Sequence, residues 1–273
     1  AGGDSATATI NDDDAVQVSV TAPGAGAEGS SFVFTVALDT VSTQTVTIDY
    51  TTTDGSATSA GDYTSASDTL TFNPGVTSLT VSVASTDDAV NECDETFDLD
   101  LTNPTGLTCD SVSIAAGGGS ATATINDDDD LAITIVGDGP KVEGSRFVFT
   151  LTMAPASEQD VDVDWQTLDG SATSGGDYTG SGGPQTVTFA AGTTSMTVGV
   201  DTTDDAINEC DETFSVDLTS ANPASCAAVV ALGAAAQVTV QDTPDAVQIT
   251  LTGPAPVTEG SDSVFTVTLD RVS

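Results

Sequence analysis

The sequence repeats itself over a long period, and the repeated segments carry acidic residues at fixed positions. The Glu-Gly-Ser triplet at 28–30 recurs at 143–145 and at 259–261, and the segment 87–97 recurs almost unchanged at 204–214. The offset between the two full copies is 115 to 117 residues. A period of this length is that of a whole domain, because solenoid repeats have periods of about 20 to 50 residues. The sequence therefore predicts tandem domains, each large enough to bury its own core.

The period divides the chain into two complete copies flanked by partial ones. We expect the complete copies at residues 15–130 and 131–245. Residues 1–14 match the end of a preceding repeat, and residues 246–273 match the first strands of a following one. We therefore expect the chain to be a piece of a longer repetitive protein.

Alternating apolar and polar residues predict short β-strands throughout each copy. In the first copy the predicted strands are 16–20, 32–38, 45–51, 69–72, 78–83, 95–101 and 121–125. This pattern predicts an all-β fold of tandem immunoglobulin-like Greek-key β-sandwiches, with about seven strands per repeat, arranged end to end as a rod. The predicted core residues are Phe32, Phe34, Ile48, Tyr50, Leu70, Phe72, Val81, Phe97, Leu99 and Ile125. Trp165 takes the place of Tyr50 in the second copy and is interpreted as a core aromatic residue.

The charge balance is extreme and restricts the partners of the chain. Its 273 residues include 42 acids, three bases and no histidine, which gives a formal net charge of −39. Such self-repulsion destabilises a compact state unless counter-ions neutralise it. Nucleic acid and anionic membrane surfaces are therefore not expected as partners, and no apolar run is long enough for membrane insertion. An acidic surface of the kind found in halophiles would add to the total charge, but it would not place acids at the same repeat positions.

The acids concentrate in the loops that connect the predicted strands. In an immunoglobulin-like sandwich several of these loops lie at the same end of the domain, and a long kinked first strand would bring Glu28 to that end as well. Calcium takes six to eight oxygen ligands, largely carboxylates. Each close pair of like charges costs on the order of a few kcal/mol at an effective dielectric constant of about 20. The clustering therefore predicts a Ca²⁺ site with more than one ion at each domain end.

Several motifs together resemble the Calx-β family of calcium-binding sandwiches, known from sodium/calcium exchangers, integrin β4 and large extracellular adhesins. The motifs are DGSAT at 54–58, GDY at 61–63, LTFNPG at 70–75, DETF at 94–97 and the closing Asp triplet at 127–129. Each motif is loose by itself, but their combination and order are specific. The resemblance covers nearly the whole chain.

The resemblance implies a set of calcium ligands in each copy. In the first copy these are Glu28, Asp54, Asp87, Asp88, Glu92, Glu95, Asp127, Asp128 and Asp129. In the second copy they are Glu143, Asp169, Asp204, Asp205, Glu209, Glu212 and Asp242, and Asp12, Asp13 and Asp14 form the triplet of the preceding repeat. The second copy lacks the full triplet, so we expect its site to hold fewer ions or to bind more weakly, with Asp245 as a candidate substitute. Asp62 and Asp177 are interpreted as turn-capping residues, with ligation as the alternative.

Four cysteines at repeated positions suggest disulfides and an oxidising compartment. Cys93 and Cys109 recur as Cys210 and Cys226. Cys93 precedes a predicted strand that leads about 25 Å away from it, and Cys109 lies in the loop at the opposite end. This geometry disfavours a bond between Cys93 and Cys109 and favours a bond between repeats, from Cys93 to Cys226. Cys109 and Cys210 would then pair with other repeats. A bond between Cys93 and Cys109 within one repeat, or free thiols, are the alternatives.

The sequence predicts a structural role rather than catalysis. The chain has no histidine, and no Ser or Cys nucleophile has a candidate base, so we expect no enzyme activity. We expect a calcium-binding repeat segment of an extracellular or cell-surface adhesin or filament, in which calcium and disulfides stiffen the joints. Neighbouring repeats or identical chains end to end are the expected partners. The alternative is a pair of calcium-sensing regulatory domains of the exchanger type.

Overall fold

The computed structural model describes residues 6–8, 15–108, 111–205, 207, 209–223, 230–243 and 248–269. The chain divides into two compact units, Ala1–Asp129 and Asp130–Ser273. The described residues form strands and no α-helix, which confirms the predicted all-β class. No described segment is a helix long and apolar enough to cross a membrane. The arrangement of the units as a rod stays a prediction, as does the assignment of residues 1–14 and 246–273 to neighbouring repeats.

The first unit is a β-sandwich of two sheets. Its strands are β1 (Val16–Thr21), β2 (Gly26–Ala27), β3 (Ser31–Leu38), β4 (Val46–Asp54), β5 (Ser67–Phe72), β6 (Ser78–Ala84), β7 (Val90–Asn91), β8 (Glu95–Thr105), β9 (Val112–Ile114) and β10 (Ser120–Asn126). One sheet has the order β6-β3-β1-β9, and the other has the order β2-β10-β8-β4-β5. The additional elements β2, β7 and β9 are two or three residues long, too short for an alternating pattern to reveal them.

The second unit repeats this topology. Its strands are β11 (Leu131–Gly137), β12 (Lys141–Val142), β13 (Arg146–Ala154), β14 (Ala156–Ser157), β15 (Val161–Asp169), β16 (Gln185–Phe189), β17 (Ser195–Asp201), β18 (Glu212–Pro223), β19 (Val230–Leu232) and β20 (Ala236–Gln241). The sheets have the orders β17-β13-β11-β19 and β12-β20-β18-β15-β16. Each strand of these two sheets therefore has its counterpart in the first unit at the same place in the sandwich, while the short β14 has none.

The chain changes sheets between its first two strands, and this change positions Glu28. β1 pairs antiparallel with β3 and parallel with β9 in one sheet. β2 then pairs parallel with β10 in the other sheet, and the Glu28 N–H donates to the Asn126 carbonyl over 3.1 Å. The predicted kink of the first strand is confirmed. It places Glu28 beside the segment that follows β10, where the Asp triplet begins.

The core lies between the two sheets and follows the predicted alternation. Along β3, Phe32, Phe34, Val36 and Leu38 are buried while the residues between them face outward. Burial of each such side chain contributes about 1.5–3 kcal/mol relative to leaving it exposed. The prediction was wrong in detail for three aromatic or aliphatic positions, which are only half-buried and pack against the core from its edge: Tyr50, Leu70 and Trp165.

A further strand pair, β21 (Ile249–Thr252) with β22 (Thr266–Leu269), repeats the start of the sandwich. Ile249 lies opposite Leu269 as Val18 lies opposite Leu38 in the first unit. The apolar side chains that are buried in β1 and β3 correspond here to exposed ones. This pair therefore has the register of a sandwich without the second sheet that would cover it.

Candidate metal centre

Four connecting segments bring carboxylates together at one end of the first unit. They line a small cleft with Glu28 after β2, Asp62 in the turn after β4, Asp88 and Glu92 before β8, Glu95 at the start of β8 and Asp127 after β10. All of these are predicted ligands except Asp62. The convergence places negatively charged groups from distant parts of the sequence in one place, as a multi-ligand cation site requires.

Two groups of three carboxylates have oxygen atoms close enough to share an ion. One group is Glu28, Asp128 and Asp129, and the other is Asp62, Glu92 and Glu95. Within each group the oxygens lie within 4.8 Å of one another. Calcium–oxygen distances are about 2.3–2.6 Å, so a single ion between three such oxygens could bind all of them after a small movement of the side chains. The first unit therefore has two candidate ion positions.

Glu28, Asp127 and Asp129 are partly shielded from water, and this raises their pKa values. Burial raises the pKa of Glu28, and Asp127, Asp88 and Asp129 add repulsion, while the Asp88 N–H acts in the opposite direction. Burial also raises the pKa of Asp127 and of Asp129. Charged groups in this setting favour either a proton or a cation.

Shielded oxygens at the centre lack hydrogen-bond donors. Within the described part of the chain no donor reaches Asp127 Oδ1 or Asp129 Oδ2, although both atoms are buried. The two described basic side chains, Lys141 and Arg146, form ion pairs with Asp138 and Asp201. Buried carboxylate oxygens without donors are costly unless they coordinate a cation. The donor set consists of oxygens alone, which fits a hard cation such as Ca²⁺.

Asn91 holds the closing triplet in place, and the sequence analysis missed it. Its side chain is 1% exposed, and its Nδ2 donates to Asp127 Oδ2 over 2.8 Å and to the Asp129 carbonyl over 2.7 Å. An amide at this position orients the acids without adding another negative charge. The repetition of Asn-Glu-Cys-Asp-Glu at 208–212 was the available signal, but an asparagine between acidic residues is usually a turn residue.

Gly29 explains why a glycine follows the first predicted ligand. Its φ is +68°, and a Cβ there would lie 2.8 Å from the Cβ of Asp87. Only glycine adopts this conformation without strain and leaves room for the neighbouring acid. Gly144 has the same relation to Asp204 in the second unit.

Asp54 accepts hydrogen bonds within the turn that follows β4. Asp54 Oδ1 accepts hydrogen bonds from the Tyr63 hydroxyl and the Ser59 N–H, and the Tyr63 bond lowers the pKa of Asp54. Burial, followed by the bond to Asp54, raises the pKa of Tyr63 to about 12. Asp54 therefore stabilises the turn and belongs to neither three-carboxylate group; its role as a ligand stays a prediction.

Asp62 caps the turn and also faces the ion position. Its Oδ2 accepts hydrogen bonds from the N–H and the hydroxyl of Thr58, and the carboxylate still forms a group with Glu92 and Glu95. The turn between 54 and 62 is fixed by the buried Ala57 and Tyr63. The sequence of this turn contains both Asp54 and Asp62, and it does not reveal which of the two faces the cleft.

The second unit has a reduced version of this centre. Asp177, Glu209 and Glu212 form a three-carboxylate group, and Glu143 and Asp242 line the same cleft. Burial and then Asp177 raise the pKa values of Glu209 and Glu212. Thr243 stands at the position of Asp128, and its N–H and hydroxyl donate to Glu143 Oε1 over 3.0 and 2.8 Å. Among the described residues of this unit, Glu143 therefore belongs to no three-carboxylate group.

The remaining predicted ligands are placed as follows. Asp88 Oδ1 accepts from the Val90 N–H and Asp205 Oδ1 from the Ile207 N–H, so both stabilise the loop before the β-strand that carries the glutamates. Asp169 accepts from the Tyr178 hydroxyl and the Ser174 N–H, as Asp54 does from their counterparts. Asp12, Asp13, Asp14 and Asp245 lie outside the described residues.

Cysteines line both clefts. Cys93 is disulfide-bonded, whereas Cys210 is exposed with a free thiol. Cys109 and Cys226 lie outside the described residues. The predicted pairing of Cys93 with Cys226 and the alternative with Cys109 both stay predictions.

The fold and the centre together define a class of protein: tandem β-sandwich repeats with a carboxylate-rich cleft at one end of each repeat. The Calx-beta domain model matches residues 6–129 and 141–244, and the chain belongs to the Calx-beta family. The predicted family resemblance is thus confirmed. No curated protein matches the chain at a significant level.

Solved structures of Calx domains are among those similar to the chain. CBD12 from CALX1.2 is 20% identical with a TM-score of 0.39, and the match covers 82% of this chain and 99% of that one. The calcium binding domain CBD12 of CALX1.1 is 19% identical with a TM-score of 0.38 and the same coverage. The apo form of the Calx CBD1 domain is 27% identical with a TM-score of 0.37, covering 42% of this chain and 98% of that one. Because these TM-scores are below 0.5, the family assignment rests on the sequence match.

Proposed function

We propose that each repeat binds Ca²⁺ in its carboxylate cleft, and that the first repeat binds more ions than the second. The observation that carries the proposal is the pair of shielded oxygens, Asp127 Oδ1 and Asp129 Oδ2, beside two three-carboxylate groups. Glu28, Asp128 and Asp129 would hold one ion, and Asp62, Glu92 and Glu95 the other. Membership of the Calx-beta family supports the choice of metal.

Calcium binding would stabilise the fold because it relieves the repulsion between the carboxylates of the cleft. The carboxylates repel one another and are partly removed from water, so the ion-free domain is destabilised at neutral pH. An ion that binds only the folded state adds stability in proportion to the logarithm of its concentration. The cleft therefore makes folding of each repeat depend on calcium.

Calorimetric and thermal titrations of the full chain test this proposal. We expect Ca²⁺ to raise the melting temperature and excess chelator to lower it. Glu95→Gln should weaken binding by the first repeat, and Asp94→Asn is its matched control because Asp94 is exposed and one residue away. Glu212→Gln and Asp211→Asn form the corresponding pair in the second repeat. A melting curve that chelator leaves unchanged, or equal effects of both members of each pair, would refute the metal site.

The biological role that we favour is mechanical. Calcium at the cleft of each repeat would stiffen a segment of an extracellular or cell-surface adhesin or filament, whose partners are neighbouring repeats or identical chains. The exposed Cys210 thiol beside the second cleft supports this role, since it is accessible for a cross-link to another repeat in an oxidising compartment. The proposal is one of binding, not of catalysis.

The second candidate role is regulatory calcium sensing of the exchanger type. It is favoured by the unequal clefts, because two repeats with different ligand sets would fill at different calcium concentrations. The affinity separates the two roles. Extracellular modules bind calcium at about 10⁻⁴–10⁻³ M and sensors at about 10⁻⁷–10⁻⁵ M. Dissociation constants in the lower range for both repeats would support the sensor and contradict the adhesin segment.

A further inference from the structure

The second unit has a surface cleft that is separate from its carboxylate centre. It has a volume of about 230 Å³ and lies between β16 and β17, the edge strands of the two sheets. Trp165 on β15 forms one wall, Gln185 on β16 and Asp201 on β17 lie at the other sides, and the loop 179–181 forms the rim. None of these residues belongs to the acidic centre described above.

The cleft presents an aromatic surface beside unused polar groups. Trp165 packs against the core but is only half-buried, so part of its indole ring faces the cleft. Trp165 and Gln185 are direct cross-strand neighbours. Within the described residues, the Trp165 indole N–H donates no hydrogen bond and Gln185 Oε1 accepts none, while Gln185 Nε2 donates to carbonyls of its own loop. A donor and an acceptor therefore flank the apolar ring.

Asp201 on the opposite wall is paired with Arg146, which lies beside the cleft. Arg146 Nη1 donates to Asp201 Oδ2 over 2.8 Å, and both side chains are about 60% exposed. The Arg146 guanidinium lies directly on Gly199, in the space that a Cβ would occupy. Asp201 Oδ1 accepts no hydrogen bond from the described residues, which leaves one carboxylate oxygen for a ligand in the cleft. The pair contributes no net charge to the cleft.

The rim of the cleft is already fixed. The Thr179 N–H donates to the Asp201 carbonyl, and Thr167 and Ser181 hydrogen-bond each other through side chain and backbone over 2.9–3.1 Å. Gln185 Nε2 donates to carbonyls of its own loop. A cleft held in this way does not have to be ordered when a ligand binds, which favours affinity.

The first unit differs at each of these positions. Tyr50, Asp68, Ser82 and Ala84 occupy the places of Trp165, Gln185, Gly199 and Asp201, and Ser31 occupies that of Arg146. The loop that follows the Gly-Asp-Tyr turn also differs in length. It has six residues between Tyr178 and Gln185 in the second unit and four between Tyr63 and Asp68 in the first. The cleft is therefore specific to the second repeat, whereas most of the acidic centre is common to both.

We propose that this cleft binds a neutral saccharide unit. A pyranose ring has an apolar C–H face that packs on an aromatic ring, and adjacent hydroxyls that pair with planar groups such as those of Gln185 and Asp201. Specific small-molecule sites combine such an apolar wall with a few placed polar groups. An anionic sugar is disfavoured because the chain carries a net charge of −39. The volume suits one hexose rather than a longer chain bound end-on.

The chain provides its own reporter, because Trp165 is its only tryptophan. The calcium-loaded full chain is titrated with glucose, galactose, mannose and N-acetylglucosamine, and then tested on an array of neutral and sialylated glycans. We expect a saturable change in tryptophan emission with at least one neutral sugar. Asp201→Asn and Gln185→Ala should each weaken sugar binding at least tenfold. Because Asp201 is exposed, Asp201→Asn should leave the melting temperature unchanged. Asp68→Asn in the first repeat is the control and should leave sugar binding unchanged.

Moving the tryptophan to the first repeat distinguishes binding at this cleft from a general effect of sugar on tryptophan emission. The double variant Trp165→Tyr with Tyr50→Trp moves the only tryptophan to the equivalent place in the first repeat, where its emission should not respond to sugar. The proposal is overturned if no neutral sugar changes the emission and none binds on the array. It is also overturned if sialylated glycans alone bind, if Asp201→Asn and Gln185→Ala both bind as the unmodified chain does, or if the transferred tryptophan responds equally.

Discussion

The Thr243 hydroxyl donates a hydrogen bond to Glu143 Oε1 over 2.8 Å. In the first repeat the same position is Asp128, which instead forms a three-carboxylate group with Glu28 and Asp129. A hydroxyl satisfies the glutamate directly, whereas a charged aspartate repels it, and a cation between the two would relieve that repulsion. One side chain thus decides whether the early glutamate of a repeat is a hydrogen-bond acceptor or part of a candidate ion site.

Exchanging these residues should exchange the calcium stoichiometry. We expect Asp128→Thr to reduce the number of ions bound by the first repeat. Thr243→Asp should increase the calcium dependence of the second repeat's stability, because it removes the donor to Glu143 and adds a carboxylate. Isothermal titration calorimetry of each variant in the full chain measures the change. Unaltered stoichiometry and affinity in both variants would contradict the role assigned to this position.

Removal of the Asn91 side chain should weaken calcium binding by the first repeat without removing a ligand. Asn91→Ala deletes the donors to Asp127 Oδ2 and the Asp129 carbonyl. Residues that orient metal ligands typically contribute 10–100-fold to affinity, so we expect a loss of about tenfold or more. Asn73→Ala, at an exposed turn position, is the control. If both variants bind calcium equally well, Asn91 does not position the triplet.

Gly29→Ala should be more damaging than Gly75→Ala, although both glycines have positive φ. The φ values are +68° and +85°, so both substitutions strain the backbone by about 1–2 kcal/mol. A Cβ at position 29 would additionally collide with the Cβ of Asp87, while the space around Gly75 is open. We expect Gly29→Ala to lower the melting temperature more than Gly75→Ala does, and we expect only Gly29→Ala to weaken calcium binding. Calcium titrations followed by thermal melts compare the two, and indistinguishable results would show that the contact with Asp87 is unimportant.

The calcium-free protein should become more stable on mild acidification. Burial raises the folded-state pKa values of Glu28, Asp127, Asp129, Glu209 and Glu212. A group whose pKa is raised by folding binds its proton more tightly in the folded state, so its stabilising contribution is present below the unfolded pKa and is lost as the pH rises through the folded pKa. Metal-free protein should therefore melt at a higher temperature near pH 5 than near pH 7.

Calcium should reverse this dependence, since protons and Ca²⁺ compete for the same oxygens. Hydrogen bonds lower the pKa values of Asp49, Asp54 and Asp164, so these groups stabilise the folded state while they are charged. That contribution is lost only at lower pH, where they become protonated. Thermal melts of metal-free and calcium-saturated protein across pH 4–8 check both expectations. A metal-free melting temperature that rises steadily from pH 5 to pH 7 would contradict the assignment of these carboxylates as mutually repelling.

Much of the fold could be predicted because its determinants are local in sequence. The alternation in residues 31–38 is sufficient to locate β3 and its buried face. The acids of the centre could be predicted because they recur in register with the strands. The kink that brings Glu28 to the cleft also followed from the requirement that all acids meet at one end.

The rest depends on tertiary geometry that a single sequence does not encode locally. The direction of the turn between β4 and β5 decides that Asp62 faces the cleft and that Asp54 accepts from Tyr63. Asn91 matters because of the two acceptors that fold against it, not because of its neighbours in sequence. Trp165 occupies a core position of the pattern, but it packs at the edge of the core, where part of its ring lines the surface cleft.

The change of sheet by the first strand has a mechanical consequence. In each unit the segment that enters the sandwich runs parallel to the strand that leaves it: β2 beside β10 in the first unit and β12 beside β20 in the second. Tension along the chain would pull such parallel neighbours in opposite directions, so their hydrogen bonds would resist together in shear instead of opening one at a time. The carboxylate cleft lies at the end of this same strand pair, where Glu28 and Asp127 flank it. An ion bound there would clamp the two strands at the point where an external force enters the domain.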